Sequence, residues 1–224
     1  MNGYNSAGNR FLPRNCLFAF TDGCRVLNSE YSATIHYSRR DTRLSLLSDR
    51  SFGGADAYAT AYTIAKGIEK IGKYDVVFCG MASSDGSTEW VGPQIATLLK
   101  IPVVTRVKEL VEYGGEWWKV KADLENGYRL MQVKLPAVFT VTRDLNTPRT
   151  LSFSGIIKAR SKEITEWGID QLSVPEETVG QKGSPTIVSN LTAIESKREV
   201  EIITGTREEK AERLVQKLAD AGVI

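Results

Sequence analysis

The chain has 224 residues, enough for one large domain with an extension or for two small domains. Its composition, 42% apolar and 25% charged, is typical of a globular domain and excludes wholesale disorder. Twenty-nine Lys and Arg residues nearly balance 27 Asp and Glu residues, which argues against nucleic-acid binding. No apolar run approaches the roughly 18 residues of a membrane-spanning helix, so we expect no membrane insertion.

Cysteine and histidine are too few and too scattered for metal or nucleophilic chemistry. Cys16, Cys24 and Cys79 lack C-x-x-C spacing, and His36 is the only histidine. We therefore predict no metal site and no catalytic residue. The first residues lack the order of a signal peptide, and the sparse cysteines fit a reducing compartment, so the expected location is cytoplasmic, with no support for mitochondrial import.

Residues 1–43 give only weak strand signals, near Leu17–Phe20 and Ser32–Tyr37, because neither period 2 nor period 3.6 is sustained. The signals sharpen from Leu44, where a short apolar strand begins. Asp56 is then a suitable N-cap for an amphipathic helix that ends at Gly72.

Buried strands and helices alternate in the next part of the chain. The run Asp75–Gly80 has no polar alternation, which is typical of a parallel strand buried on both faces. A helix with apolar residues at three- and four-residue spacing follows, and Ile101–Thr105 is the next strand. This order predicts an α/β fold: a doubly wound, mainly parallel sheet with helices on both faces.

The middle of the chain changes to an antiparallel ribbon, Lys108–Val133, with turn dipeptides at Gly114–Gly115 and Asn126–Gly127. Trp117 and Trp118 are neighbours on one strand of this ribbon and point to opposite faces. At most one of them can line a site, so packing in a core or at a subunit interface is the expected role of the pair.

The last third of the chain has fewer regular signals. A core strand at Ala137–Thr142 is followed by a loop after Pro148, a basic turn, and an extended arm that begins near Pro175. Thr206–Leu218 has apolar residues at helical spacing behind an acidic start, which predicts a terminal amphipathic helix.

The segment Gly80–Thr88 follows a buried strand and opens a helix, the place where open α/β sheets bind ligands. Its glycines allow close approach to the backbone, and its hydroxyls and the amides of the helix N-terminus can donate to a phosphate. No Lys follows the second Gly, which disfavours a P-loop that hydrolyses triphosphates. A well-capped helix start without a ligand explains the same residues equally well, with Asp85 as a capping or dipole partner.

Seven blocks of the chain carry a resemblance to a known family: Tyr74–Gly80, Ser84–Thr88, Val91–Ala96, Ile101–Thr105, Leu135–Val141, Leu145–Arg149 and Gly155–Ala159. In residue type, order and spacing they resemble the β subunit of electron transfer flavoproteins, from about Leu44 to the carboxyl end. Residues 1–43 do not match the strand, helix and flavin-facing loop with which family members begin, so we assign no ligand contact to them.

The resemblance implies that the loop from Gly80 to Val91 wraps an adenine nucleotide, which is AMP in simple family members and a second FAD in electron-bifurcating ones. Ser87 stands where Asp is frequent and Trp90 where Gln is frequent, so the choice between AMP and FAD stays open. The cofactor-binding residues that it implies are Gly80, Met81, Ala82, Ser83, Ser84, Asp85, Gly86, Ser87, Thr88, Glu89, Trp90 and Val91.

The resemblance also implies that Val141–Glu163 is the recognition loop that docks on a partner dehydrogenase, with Phe153 at the position of the family's apolar anchor. Burial of one such side chain is worth about 1.5–3 kcal/mol, and nearby basic residues steer toward an acidic partner surface. Without the resemblance, a solvated basic turn with its aromatic side chain folded back is the simpler interpretation. The implied docking residues are Asn146, Pro148, Arg149, Phe153, Ile156, Lys158 and Arg160.

We therefore predict the β subunit of a heterodimeric electron transfer flavoprotein, an electron carrier and not an enzyme, with FAD held mainly by the α subunit and an acyl-CoA dehydrogenase-like flavoenzyme as partner. The predicted organisation is a nucleotide-binding domain over residues 1–189 and a C-terminal arm and helix over residues 190–224 that packs on the partner subunit. The alternatives are a free-standing adenine-nucleotide-binding enzyme of the same α/β class and a scaffold subunit without nucleotide.

Overall fold

A computed structural model of the chain describes residues 16–19, 44–83, 86–147, 150, 152–161, 163–190, 192 and 200–224. Its strands are β1 (Cys16–Ala19), β2 (Leu44–Leu47), β3 (Val76–Gly80), β4 (Val103–Glu112), β5 (Trp117–Leu124), β6 (Gly127–Lys134), β7 (Ala137–Val141) and β8 (Ile164–Trp167). Its α-helices are α1 (Ala57–Ile71), α2 (Val91–Leu99), α3 (Phe153–Arg160), α4 (Ile169–Leu172) and α5 (Arg207–Asp220). The predicted strand at Ser32–Tyr37 lies outside the described residues.

The larger sheet has the strand order β1-β3-β7-β4-β5-β6 within the described part of the chain. Strands β1, β3, β7 and β4 are parallel to one another, and β5 and β6 continue the same sheet as an antiparallel hairpin. The α/β class, with a parallel-containing sheet flanked by helices, is therefore confirmed. The predicted ribbon is the antiparallel end of that sheet.

Strands β3 and β7 lie inside the sheet and are apolar on both faces, as the unbroken run after Asp75 predicts. One face packs against α1 and α2 through Val77, Cys79, Val138, Ala61, Ile68, Ile95 and Ala96. Burial raises the pKa of the Cys79 thiol to about 12, so this residue acts as a small apolar side chain.

The other face of β3 and β7 carries an aromatic cluster. Trp118 of β5 is fully buried and stacks on Phe139 of β7, with ring centroids 5.8 Å apart and an angle of 18° between the rings. Phe78 of β3 lies 6.3 Å from Trp118, measured between ring centroids. Trp117 is 49% exposed, which confirms that only one member of the tryptophan pair points inward.

Helix α1 begins and ends where the sequence predicts. The Asp56 carboxylate accepts hydrogen bonds from the backbone amides of Tyr58 and Ala59, at 2.9 and 3.0 Å, which satisfies two of the free donors of the first turn. Gly72 is the C-cap, and its amide donates to the carbonyl of Ile68 at 3.2 Å.

The segment after Thr150 has more regular structure than the sequence predicts. The predicted loop and basic turn contain helix α3, and strand β8, which the sequence did not predict, follows them and pairs in parallel with β2. The Ser152 hydroxyl caps α3 by accepting from the amide of Gly155 at 3.1 Å. The loop prediction was wrong because α3 is only two turns long and includes a glycine, so it carries no sustained helical period.

The extended arm predicted from Pro175 also starts later than expected. Val179 is fully buried beside Leu172 and Val174, so this part of the chain packs as core. Gly180 adopts φ +57° and passes so close to the backbone of Ser51 that a β-carbon would lie 1.9 Å from its carbonyl oxygen. The arm was predicted too early because the proline and glycine residues of this segment form tight turns and close contacts and do not mark an extended chain.

Asp49, which follows β2, links this part of the chain to the start of α4, and we expect its substitution to lower the free energy of unfolding. Its carboxylate accepts from the amides of Ile169 and Ser51, at 3.0 and 2.9 Å, and these two hydrogen bonds lower the pKa of Asp49. Because the pKa of Asp49 is lower in the folded state than in the unfolded state, its ionised carboxylate stabilises the fold at pH values above the unfolded-state pKa. This stabilisation is lost as the pH falls through the folded-state pKa. Asp49→Ala is expected to cost about 1 kcal/mol at neutral pH.

The measurement is chemical unfolding of wild type, Asp49→Ala and Asp49→Asn between neutral and acidic pH. The free-energy gap between wild type and each variant should narrow as the Asp49 carboxylate protonates. The control is Glu125→Gln, an exposed carboxylate in the β5–β6 turn. A gap that stays constant down to low pH would contradict the assigned hydrogen bonds.

The chain divides into two compact units, Met1–Ile187 and Val188–Ile224. In the second unit α5 starts with a capping box, in which the Thr206 hydroxyl accepts from the Glu209 amide and the Glu209 carboxylate accepts from the Thr206 amide. The predicted terminal helix is confirmed, and its apolar residues Leu214 and Val215 are half exposed. The boundary at residue 189 and the packing of this segment on a partner subunit stay predictions.

Candidate functional site

The predicted nucleotide loop lies at the carboxyl edge of the parallel strands. Gly80 ends β3 and pairs with Val141 at the end of β7, and the amide of Met81 donates to the Val141 carbonyl at 3.2 Å. A β-carbon placed on Gly80 would meet nothing within 4 Å, so the backbone is open there. This is the edge at which open α/β sheets bind ligands.

The loop itself is held by local hydrogen bonds and by an unusual backbone. The Ser87 hydroxyl donates to the carbonyl of Ser83 at 2.9 Å. Ser87 and Glu89 have φ values of 46° and 58°, a left-handed conformation that costs energy for residues with a β-carbon. Strain of this kind is common in ligand-binding loops. Two predicted site residues, Ser84 and Asp85, lie outside the described residues.

The remaining predicted loop residues surround the start of α2. Gly80, Ala82, Gly86, Ser87, Thr88 and Trp90 are exposed, whereas Met81, Ser83, Glu89 and Val91 are partly buried. Trp90 occupies the N-cap position and makes no side-chain capping bond. The amides of Val91 and Gly92 therefore receive no side-chain cap, whereas Pro93 has no amide hydrogen to cap, and the two uncapped amides favour the anion-binding interpretation.

Gly92 brings the start of α2 against β7. A β-carbon on Gly92 would lie 2.4 Å from Cγ2 of Thr140, a distance that no real pair of carbons tolerates. Thr140 is 2% exposed, and its hydroxyl accepts from the amide of Arg106 at 3.0 Å. The absence of a side chain at Gly92 thus sets the distance between the helix N-terminus and the strand ends.

Buried polar atoms without hydrogen-bond partners gather near this edge in the described part of the chain. Three of the four such atoms among the described residues are Nε of Arg106 in β4, Oε1 of Gln94 in the first turn of α2, and Oγ1 of Thr142 just after β7, and the fourth is Nε1 of Trp118 in the aromatic cluster. The amide of Thr142 donates to the carbonyl of Val107, which places Thr142 beside the residue that follows Arg106. Such atoms normally have a partner, so they fit a site for a polar ligand such as a nucleotide.

Sequence reasoning did not identify Arg106. It lies at an interruption of β4, where the register with β7 shifts between Val104 and Val107, and its φ is 57°. Its guanidinium faces the loop, with Nη1 at 3.7 Å from Oε2 of Glu89. No motif in the sequence marks this position, since a lone Arg in a strand is usually a solvated surface residue.

The predicted docking segment presents an exposed aromatic side chain. Phe153, the first residue of α3, is 80% exposed, and it is not folded back onto the sheet. Ile156 is half-buried, while Lys158 and Arg160 are exposed on the same helix and Asn146 is exposed before it. The predicted anchor residue therefore lies on a helix and not on a loop. Pro148 and Arg149 lie outside the described residues.

Other site types find no support in the residues that the structure describes. No group of three His, Cys, Asp or Glu side chains is arranged to hold a metal ion among them. None of the described helices has both the length and the apolar content that crossing a membrane requires. His36 lies outside the described residues.

Comparison with known proteins decides the family. The electron transfer flavoprotein domain model matches residues 40–172, which include both the predicted nucleotide loop and the predicted docking segment. The chain is also 44% identical over 175 residues to the electron transfer flavoprotein subunit beta of Clostridium acetobutylicum, with 78% of this chain and 67% of that protein covered. The chain belongs to the electron transfer flavoprotein β-subunit family. The resemblance of the sequence blocks to this family is thereby confirmed.

Two further relatives show the same extent of similarity. The chain is 44% identical over 180 residues to the electron transfer flavoprotein subunit beta of Thermoanaerobacterium thermosaccharolyticum, covering 80% of this chain and 68% of that protein. It is 41% identical over 180 residues to the CarD subunit of the caffeyl-CoA reductase–Etf complex of Acetobacterium woodii, again covering 80% of this chain and 68% of that protein.

Proposed function

We propose that this chain is the β subunit of a heterodimeric electron transfer flavoprotein and that it holds an adenine nucleotide, AMP or a second FAD, in the loop between β3 and α2. The observation that supports this role best is the uncapped start of α2 beside buried polar atoms without partners at the sheet edge. The membership of the chain in the family supports the same role, because the matched residues include this loop.

The residues of the loop fit a nucleotide phosphate that is bound and not hydrolysed. Backbone amides at the start of α2 and the hydroxyl of Thr88 are donors for phosphate oxygens, whereas the Ser87 hydroxyl already donates to the Ser83 carbonyl within the loop. The loop Gly80–Thr88 contains no Lys that could assist phosphoryl transfer. The residues we assign to the nucleotide are the sequence-predicted set from Gly80 to Val91, with their backbone groups as the main contacts.

In this role, a flavin and not a side chain of this chain carries the electrons. A bound flavin supplies the redox chemistry, and we propose that most of its binding site comes from an α subunit. The second unit of this chain exposes Val200, Ile202, Leu214 and Val215, an apolar surface of the kind that a partner subunit covers. We accordingly propose that residues 190–224 pack on the α subunit and that the complex is cytoplasmic.

The docking segment gives this subunit a surface for its redox partner, which we propose to be an acyl-CoA dehydrogenase-like flavoenzyme. Phe153 is large, apolar and 80% exposed at a helix end, as an anchor for a partner pocket requires. Lys158 and Arg160 near it favour approach to an acidic surface.

The first experiment identifies the nucleotide. The chain is purified together with its α subunit, the complex is denatured with acid, and the released adenylates and flavins are separated and counted against protein. We expect either one FAD and one AMP per heterodimer or two FAD per heterodimer. One FAD without any further adenylate would contradict the nucleotide role of this chain, and a colourless monomer that turns over ATP would support the free-standing enzyme instead.

The second experiment tests the anchor. Phe153→Ala should weaken the affinity of the heterodimer for an acyl-CoA dehydrogenase by about 10- to 100-fold, since burial of such a side chain is worth about 1.5–3 kcal/mol. Phe153→Leu keeps an apolar anchor and should retain most of the affinity, and Ser154→Ala is the control for a change on the same helix. Equal affinities for wild type and Phe153→Ala, measured by surface plasmon resonance, would exclude the proposed anchor.

A further inference from the structure

Arg106 is the one residue at the sheet edge whose backbone, charge and hydrogen bonding all depart from those of an ordinary strand residue in the described chain. Its φ of 57° interrupts β4, although this left-handed conformation costs energy for a residue with a β-carbon. Its amide is turned away from the regular ladder to the buried Thr140 hydroxyl, at 3.0 Å. The interruption lies level with the end of β7, because the neighbouring register pairs are Val104 with Phe139 and Val107 with Val141.

The guanidinium of Arg106 has unused hydrogen-bonding capacity. Its Nε is buried and has no partner among the described residues. Its nearest carboxylate oxygen, Oε2 of Glu89, lies 3.7 Å from Nη1, which is within ion-pair range but longer than a hydrogen bond. Guanidinium donors form their strongest and most specific bonds with carboxylate or phosphate oxygens at shorter distances. The ion pair with Glu89 therefore leaves guanidinium donors that can still form hydrogen bonds with a ligand.

We propose that Arg106 is a phosphate-binding residue of the nucleotide site and that Glu89 holds its side chain toward the loop until a nucleotide binds. This inference rests on the nucleotide role proposed above. Glu89 belongs to the loop and Arg106 to the strand edge, so their contact places the cation on the side of the sheet where the phosphate is expected. Glu89 then contributes only its backbone to the nucleotide loop, while its carboxylate competes with the phosphate for the guanidinium and makes no contact with the nucleotide.

A role as a simple brace between loop and sheet predicts different behaviour. A brace needs both partners equally, so loss of either side chain would loosen the loop and weaken every ligand alike. A phosphate-binding role predicts opposite effects of the two residues, because removal of Glu89 frees Arg106, whereas removal of Arg106 removes a phosphate contact. It also predicts that only ligands with a phosphate are affected.

The experiment uses the full-length chain purified with its α subunit and stripped of adenylates, and titration calorimetry with AMP, ADP and adenosine. We expect Arg106→Gln to weaken AMP and ADP binding by about 10- to 100-fold, the range of a charge-assisted hydrogen bond, and to leave adenosine binding unchanged. Glu89→Gln should leave AMP binding unchanged or make it tighter. Arg106→Lys, which keeps the charge but not the fork of donors, should fall between wild type and Arg106→Gln.

Three results would overturn the inference. AMP affinity of Arg106→Gln and Arg106→Lys equal to that of wild type would remove the phosphate contact while leaving the proposed function intact. Equal weakening of AMP and adenosine by Arg106→Gln and Glu89→Gln would identify a brace. Wild-type protein that binds none of the three ligands would instead refute the nucleotide role on which the inference rests.

Discussion

Trp118→Ala is expected to destabilise the chain by about 3–5 kcal/mol, the largest effect of any single change considered for this protein. Trp118 is fully buried between the aromatic rings of Phe78, Tyr113 and Phe139, so its removal leaves a cavity as well as losing its apolar contacts. Because domains of this size are stable by only about 5–15 kcal/mol, the variant should unfold at much lower denaturant concentration.

The neighbouring tryptophan provides the matched control. Trp117 is 49% exposed on the opposite face of β5, and Trp117→Ala should cost less than about 1 kcal/mol. Guanidinium unfolding followed by circular dichroism gives both values on the same scale. Similar midpoints for the two variants would contradict the packing of Trp118 against Phe78 and Phe139.

Gly92→Ala is expected to destabilise the chain by about 1–3 kcal/mol, although alanine is normally the better residue in a helix. The added β-carbon would lie 2.4 Å from Cγ2 of Thr140, so either α2 or the buried end of β7 must move. Because this contact positions the start of α2 beside the loop, the same change should also weaken nucleotide binding.

A substitution at Thr140 should relieve the clash that Gly92→Ala creates. Thr140→Ser removes Cγ2 but keeps the hydroxyl that accepts from the Arg106 amide. In the Gly92→Ala, Thr140→Ser double variant the stability should therefore return to that of Thr140→Ser alone or exceed it. Unfolding free energies of the four proteins form a double-mutant cycle, and strictly additive effects would contradict the close approach.

The parts of the fold that the sequence predicted are those with strong local signals. The unbroken apolar run of β3, the Asp56 N-cap of α1 and the acidic start of α5 each belong to one element, so neighbouring residues are sufficient to identify them. The position of the loop after Gly80 could be predicted in the same way, because the loop that follows a buried parallel strand lies at the carboxyl edge of the sheet.

The parts that it did not predict depend on contacts between distant segments. Helix α3 is short, and β8 is a strand only because it pairs with β2, more than a hundred residues earlier in the chain. Arg106 acquires its conformation from the Thr140 hydroxyl and its charge partner from Glu89, neither of which is near it in sequence. Tertiary contacts of this kind leave no periodic signal in the sequence.

In the proposed role of this chain, backbone amides between Gly80 and the first turn of α2 bind an adenine nucleotide. Hydrogen exchange tests it directly on the full-length chain in complex with its α subunit, before and after removal of the bound adenylates. We predict that nucleotide slows exchange in a peptide spanning residues 81–95 and leaves the β5–β6 hairpin unchanged. Identical exchange of residues 81–95 with and without nucleotide would contradict nucleotide binding at this loop.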